Sequence, residues 1–157
     1  PHRSAVRMLL KICAYNKQGT LLPDKWEIEH IFPQKWQSTY FPNATDDIVK
    51  EKIEHIGNKL PFEKKLNIIA GNGYFVKKKN EYVISNITIT KNFGESSSSD
   101  WTLDDITERD LQVSTEVMDT LTKWKQEYNT TPGNSLHPEA TPEELAMIEK
   151  LKKRGLI

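Results

Sequence analysis

One segment with strand-like alternation interrupts a chain whose apolar residues otherwise recur mainly at helical spacing. Apolar and polar residues alternate from Trp26 to Phe32, which predicts a half-buried strand, and Pro33 ends it. A second, short extended piece is predicted near residues 59–62. Helical spacing predicts helices over residues 3–15, after the capping residue Thr45, from Leu66 to about Tyr82 with a break at 71–73, and from Thr102 to Trp124. We therefore expect a mostly helical α+β fold.

The sequence also makes predictions for the helix after Thr102 and for the segment that precedes it. In the helix after Thr102, the apolar residues predicted to face inward are Ile106, Leu111, Val113, Val117, Leu121 and Trp124. Residues 84–89 form a short apolar run, and the serines at 96–99 are typical of a surface loop.

Length and composition limit the protein class. The 157 residues suffice for one domain with appendages, and 36% hydrophobic residues predict a globular chain with no bilayer-spanning run. The single cysteine, Cys13, excludes an internal disulfide, so a cytoplasmic protein is expected. Because the chain starts at Pro1, we expect a piece of a longer protein. The predicted divisions are an N-terminal helix (1–20), the main domain (21–128), a linker (129–140) and a C-terminal helix (141–157).

Four residues stand in a pattern suited to a one-metal phosphodiesterase: Glu29 and His30, then Asn58, then Asn67. A hard cation such as Mg²⁺ or Mn²⁺ takes oxygen ligands, which a carboxylate and an amide supply. The imidazole of His30 can take the proton of an attacking water. Adjacent residues of a strand point to opposite faces, so a distortion near Pro33 or a site beside the strand must reconcile Glu29 with His30.

Each of these residues also has an ordinary structural interpretation. A Glu-His pair in a strand is often a surface pair, Asn58 after Gly57 suits a helix stop, and Asn67 could cap a helix. The Glu-His-Ile sequence recurs at residues 54–56, but within a helix and without the proline, so we interpret His55 as structural.

The combined pattern resembles the HNH (His-Me finger, ββα-metal) nucleases. The motifs are Glu-His-Ile-x-Pro from Glu29, Gly-Asn-x-Leu from Gly57, and an Asn nine positions after Asn58. More narrowly, the chain is similar to the C-terminal domain of GmrSD-type, modification-dependent restriction and phage-defence endonucleases. Further matches are Phe75-x-x-Lys78-x-x-x-Tyr82 and Ile106-x-x-Arg109, with Trp124 downstream. The resemblance covers roughly residues 3–125 and implies a ββα-metal core with flanking helices.

The resemblance also implies roles for individual residues. His30 would be the general base, Asn58 would brace the metal loop and orient the base, and Glu29 and Asn67 would bind one Mg²⁺ or Mn²⁺. The residues expected near DNA phosphate are Lys65, Lys77, Lys78, Lys79 and Arg109.

The lysines among them belong to a basic block that ends at Lys79. Residues 59–79 contain a single acidic residue, Glu63, and six lysines, at positions 59, 64, 65, 77, 78 and 79. Such a block is ordinarily a solvated helix face, but beside a site for a polyanion it favours phosphate contact.

The function expected from the resemblance is metal-dependent hydrolysis of double-stranded DNA, modified or unmodified, in a prokaryotic restriction or anti-phage system. Targeting would rest with an N-terminal, nucleotide-dependent domain that precedes this segment. Two alternatives remain: a nucleic-acid-binding or interaction domain that has lost catalysis, and an RNA-directed or secreted nuclease. The net charge of zero argues against a generally basic nucleic-acid coat.

Overall fold

The computed structural model describes residues 3–41, 43–130 and Lys153. In chain order its helices and strands are α1 (Arg3–Lys17), β1 (Trp26–His30), α2 (Asp46–Ile53), β2 (Lys59–Glu63), α3 (Lys64–Ala70), α4 (Phe75–Tyr82), α5 (Thr88–Glu95) and α6 (Leu103–Thr130). The expected mostly helical α+β class is confirmed, and β1, β2 and α3 follow in the order of a ββα unit. The predicted linker beyond Thr130 and the predicted C-terminal helix lie outside the described residues, apart from Lys153.

Local capping chemistry explains where several helices begin and end. The Thr45 hydroxyl accepts a hydrogen bond from the Ile48 amide at the start of α2. At the start of α6, the Asp105 carboxylate accepts from the Thr102 amide, and the Thr102 hydroxyl accepts from the Asp105 amide. This reciprocal pair is a capping box. The chain leaves α3 at Gly71, whose φ of 56° suits glycine.

The two strands pair antiparallel, with Glu29 opposite Leu60 and His30 opposite Lys59. Apolar side chains cover both faces of this small sheet. One cluster contains Leu60 and Phe62 of β2. The other contains Trp26 of β1 with Leu10 of α1. Apolar clusters therefore lie against both faces of the sheet, and side chains that alternate along a strand reach different surroundings.

Helix α5 was not predicted. Its residues Thr88, Ile89 and Thr90 are β-branched and favour strands by local propensity. Packing overrides that preference, because Gly94 lies so close to α4 that a Cβ there would be 2.7 Å from the Cβ of Tyr82. The absence of a side chain at Gly94 lets the two helices meet.

Helix α6 continues to Thr130, six residues beyond the predicted end at Trp124. The predicted inward positions Ile106, Val113 and Val117 are buried. The same prediction for the other three is wrong, because Leu111, Leu121 and Trp124 are exposed.

The chain divides into a unit of residues 1–120, which contains the sheet, and a unit of residues 121–157. Among the described helices, none combines the length and apolar character needed to cross a bilayer.

Candidate active site

The sheet register places Glu29 and His30 on opposite faces. His30 and its partner Lys59 share one face, whereas Glu29 and its partner Leu60 share the other. The difficulty raised by their adjacency in the sequence therefore holds in the structure. Two separate polar groups form, one around each residue.

His30 lies in an open pocket of about 590 Å³. The residues lining it are Arg3, Val6, Ile28, His30, Gln34, Glu54 and Lys59. Helix α1, both strands and the end of α2 thus each contribute a side chain. The pocket combines apolar walls with two cations, a carboxylate and the imidazole, a composition suited to a polar ligand.

The imidazole of His30 is the centre of a hydrogen-bonded group. Its Nε2 lies 2.8 Å from Lys59 Nζ, 3.3 Å from Glu54 Oε1 and 3.4 Å from Gln34 Nε2. Lys59 Nζ also donates to Glu54 Oε2 at 2.8 Å. An ammonium group has only donors, so its bond to Nε2 requires that nitrogen to be unprotonated. The geometry therefore describes a neutral histidine.

The electrostatics agree with a neutral His30. Burial, followed by the charge of Lys59, lowers the pKa of His30 below its usual 6.5, against the opposing effect of Glu54. Burial alone would raise the pKa of Glu54, but the hydrogen bond and charge of Lys59 outweigh it and lower that pKa to about 2. Near neutral pH the group thus holds one neutral imidazole, one carboxylate and one ammonium.

Asn58 braces the chain that leaves His30. Its side chain is fully buried. Its Oδ1 accepts from the Phe32 amide at 2.7 Å and from Trp101 Nε1 at 3.2 Å, while Nδ2 donates to the carbonyls of Phe32 and Ile53. The Asn58 carbonyl also accepts from the Ile31 amide at 2.9 Å. These contacts fix the chain at Phe32, two residues beyond His30, and the pocket lining does not include Asn58.

Side chains of α6 form hydrogen bonds with the turn that precedes β2. Arg109 is 8% exposed, and its Nη1 donates to the carbonyls of Gly57 (2.6 Å) and Lys59 (2.9 Å). Burial lowers the pKa of Arg109 to about 10. Asp110 accepts from the Gly57 amide and from His55 Nδ1, both at 2.6 Å. Here the structure departs from the expectation of phosphate contact, because the Arg109 guanidinium is engaged inside the protein.

Gly57 allows α6 to lie close to the turn that precedes β2. A Cβ on Gly57 would lie 2.1 Å from the Ile106 carbonyl oxygen, a distance that no side chain tolerates. The glycine thus permits the close approach of this turn to α6.

On the opposite face, Glu29 belongs to a buried polar group of its own. Its Oε1 accepts from Lys78 Nζ at 2.6 Å and from the Tyr82 hydroxyl at 2.8 Å. Lys78 Nζ also donates to the His30 carbonyl at 2.5 Å. The side chains of Lys78 and Glu29 are 1% and 4% exposed. Lys78, expected at phosphate, instead neutralises Glu29 and ties α4 to the end of β1.

The other predicted residues lie in different surroundings. Lys79 Nζ donates to the carbonyls of Ser96 and Ser98, so it fastens the serine loop. Lys65 and Lys77 are exposed on α3 and α4. Asn67 is half-buried on α3, and its side chain makes no hydrogen bond to any described residue.

One oxygen of the predicted metal ligand Glu29 is hydrogen-bonded within the protein. The Oε1 of Glu29 already serves an ammonium and a hydroxyl, and these donors occupy the position that a cation would need at that oxygen. Within residues 3–41 and 43–130, no three His, Cys, Asp or Glu side chains come together in a group that could hold an ion. The Oε1 of Glu29 is therefore engaged by protein donors, and the predicted role of Glu29 as a ligand remains a prediction from the resemblance.

Four pocket residues were missed as site residues: Arg3, Gln34, Glu54 and Lys59. The signal for Lys59 was its position at the start of the second predicted strand, within the basic block. Glu54 was set aside with the repeated Glu-His-Ile sequence, and no sequence pattern indicates that its carboxylate meets His30.

A family model described as "GmrSD restriction endonucleases, C-terminal domain" matches residues 2–114. No curated protein and no solved structure matches the chain.

Proposed function

Because the chain belongs to the family of GmrSD restriction endonuclease C-terminal domains, we propose that it hydrolyses phosphodiester bonds of DNA, with His30 as the general base. The observation that carries the proposal is the neutral imidazole of His30 in an open pocket whose nearest charged group is a lysine. A base needs to be unprotonated near the operating pH, and an anionic substrate needs a cation beside it.

In the proposed reaction, a water oxygen forms a bond to phosphorus and the bond from phosphorus to the 3′ oxygen breaks. His30 Nε2 takes the proton of the attacking water, and the leaving 3′ oxygen takes a proton from solvent. Asn58 acts as a positioning residue, because its bonds to Phe32 fix the chain on which His30 stands. A general base of this kind contributes roughly 10²–10⁴-fold in rate.

Membership of a nuclease family makes a divalent cation the expected cofactor, which when bound would polarise the scissile phosphate. Of the two ligands that the resemblance implies, Asn67 has a side chain without a hydrogen bond to any described residue, whereas Glu29 has one oxygen, Oε1, held by Lys78 and Tyr82. We propose Mg²⁺ or Mn²⁺ as the ion on the strength of the family alone.

We further propose Lys65 and Lys77 as contacts to DNA phosphate, because both are exposed and belong to the basic block. Lys78, Lys79 and Arg109 are not part of this surface, since their donors are used inside the protein. Such contacts give affinity without sequence preference. Selection of modified DNA is proposed to rest with a nucleotide-dependent region of a longer protein, acting in the prokaryotic cytoplasm.

The experiment is cleavage of supercoiled plasmid, modified and unmodified, with Mg²⁺, with Mn²⁺ and with EDTA. We expect nicked or linear product with at least one metal and none in EDTA. His30→Ala protein purified in parallel reports any contaminating nuclease. Undiminished cleavage in EDTA would contradict metal dependence, and faster cleavage of single-stranded RNA than of DNA would favour the RNA-directed alternative. Binding without cleavage of any substrate would favour the inactive domain.

A further inference from the structure

Lys59 is the cation at the base of the His30 pocket. Its side chain is 5% exposed, although the pocket that it lines is open to solvent. It stands directly opposite His30 in the sheet, so the position of its ammonium is set by backbone pairing. A buried lysine costs desolvation unless it is paired, and Glu54 supplies the partner at 2.8 Å.

One N–H donor of the Lys59 ammonium has no acceptor among the described residues. An ammonium group has three N–H donors. Among the described residues, two are used, by His30 Nε2 and by Glu54 Oε2. The third has no acceptor within residues 3–41 and 43–130, and the pocket that Lys59 lines is open. An anion entering the pocket would thus meet an ammonium that is already oriented.

We propose that Lys59 is a second catalytic residue, whose ammonium moves from His30 Nε2 to a non-bridging oxygen of the scissile phosphate when DNA binds. This inference rests on the proposed function and adds a substrate-binding cation to it. Glu54 keeps its bond to the ammonium during the exchange and so limits how far the lysine can move.

The exchange has a consequence for His30. While Lys59 donates to Nε2, that lone pair cannot take a proton from water. The arrival of a phosphate removes the lysine and frees Nε2 at the moment when the attacking water needs a base. Substrate binding and activation of the base are thereby linked through one side chain.

Other cations near the site are less suited to this role. Lys78 is on the opposite face of the sheet with Glu29, and Arg109 donates to backbone carbonyls. Arg3 lines the same pocket, but it is exposed and paired with Glu27. A mobile, solvated cation of that kind contributes little fixed stabilisation.

The test compares Lys59→Met, Lys59→Arg and His30→Ala with Lys91→Met, which removes an exposed lysine of α5 outside the pocket. The readouts are kcat and KM for plasmid cleavage, duplex affinity and the melting temperature. We expect Lys59→Met to lower kcat by about 10²–10³-fold, as for loss of one transition-state donor, with a smaller rise in KM. Lys59→Arg should restore part of kcat, and Lys91→Met should match wild type.

The cleavage rates of the variants separate the role of Lys59 from that of His30. If His30→Ala is inactive but Lys59→Met cleaves like Lys91→Met, the role of Lys59 is wrong and that of His30 stands. If His30→Ala cleaves like wild type, His30 is not the general base, and the proposed reaction is wrong whatever Lys59→Met does.

A second variant covers the case in which Lys59→Met does not fold. Glu54→Gln changes a carboxylate that is 58% exposed, so the fold should tolerate it. Removing this negative charge beside the phosphate position should tighten duplex binding roughly fivefold at low salt. Unchanged or weaker binding would overturn the inference.

Discussion

The buried pair of Glu29 and Lys78 yields a quantitative prediction about stability. The two side chains are 4% and 1% exposed and 2.6 Å apart. Lys78→Met keeps the aliphatic part of the side chain but leaves the carboxylate of Glu29 with Tyr82 as its remaining side-chain donor. Breaking a buried pair from one side costs about 3–5 kcal/mol. At roughly 2–4 °C per kcal/mol, the melting temperature should fall by about 6–20 °C.

The assay is a double-mutant cycle by urea denaturation. Lys78→Met and Glu29→Gln are measured singly and together, because the double variant removes both charges and no longer leaves one of them uncompensated. We expect the double variant to be more stable than Lys78→Met alone, with a coupling free energy of about 1–3 kcal/mol. Lys77→Met, an exposed neighbour on α4, is the control and should unfold like wild type within about 0.5 kcal/mol.

Two results would refute this reasoning. Additive effects in the double variant would show that the pair is not coupled. A loss below about 1 kcal/mol in Lys78→Met would show that Glu29 readily finds another partner, such as a bound cation. In that second case, addition of Mg²⁺ or Mn²⁺ should raise the melting temperature of Lys78→Met more than that of wild type.

Two further predictions concern the loop and the pH dependence. Asn58→Ala should lower the free energy of unfolding by at least about 3 kcal/mol, measured by denaturation, because the Phe32 amide and other buried groups lose their partner. Because the folded pKa of His30 lies below its usual 6.5, protonation favours unfolding: its contribution to stability is complete above pH 6.5 and is lost as pH falls through the folded pKa. The low pKa of Glu54, about 2, against an ordinary 4.5, adds a second loss below pH 4.5. A melting temperature that rose on acidification from pH 7 to pH 4 would contradict both assignments.

Much of the local structure could be predicted because its causes are local. The alternation of apolar and polar residues before Pro33 located β1. The capping residues Thr45 and Thr102 located the starts of α2 and α6, and Gly71 marked the end of α3. The motif also singled out His30, which the structure places in a pocket.

The missed features depend on contacts between distant segments. Lys78 and its neighbours Lys77 and Lys79 look equivalent in the sequence, but the helical period turns only Lys78 towards Glu29, 49 residues away. Arg109 has the charge expected of a phosphate contact, and its burial follows from where α6 crosses the turn before β2. Glu54 reaches His30 because of the loop between β1 and α2, which carries no periodic signal.

The most direct test of the central claim is the single-turnover cleavage rate of His30→Ala beside that of His55→Ala. Both variants remove a histidine from a Glu-His-Ile sequence, but His55 bonds Asp110 and does not line the pocket. We predict that His30→Ala loses about 10²–10⁴-fold in rate while its melting temperature and duplex affinity stay near wild type, and that His55→Ala cleaves near the wild-type rate. Loss of cleavage in His55→Ala with retention in His30→Ala would contradict the assignment of the general base.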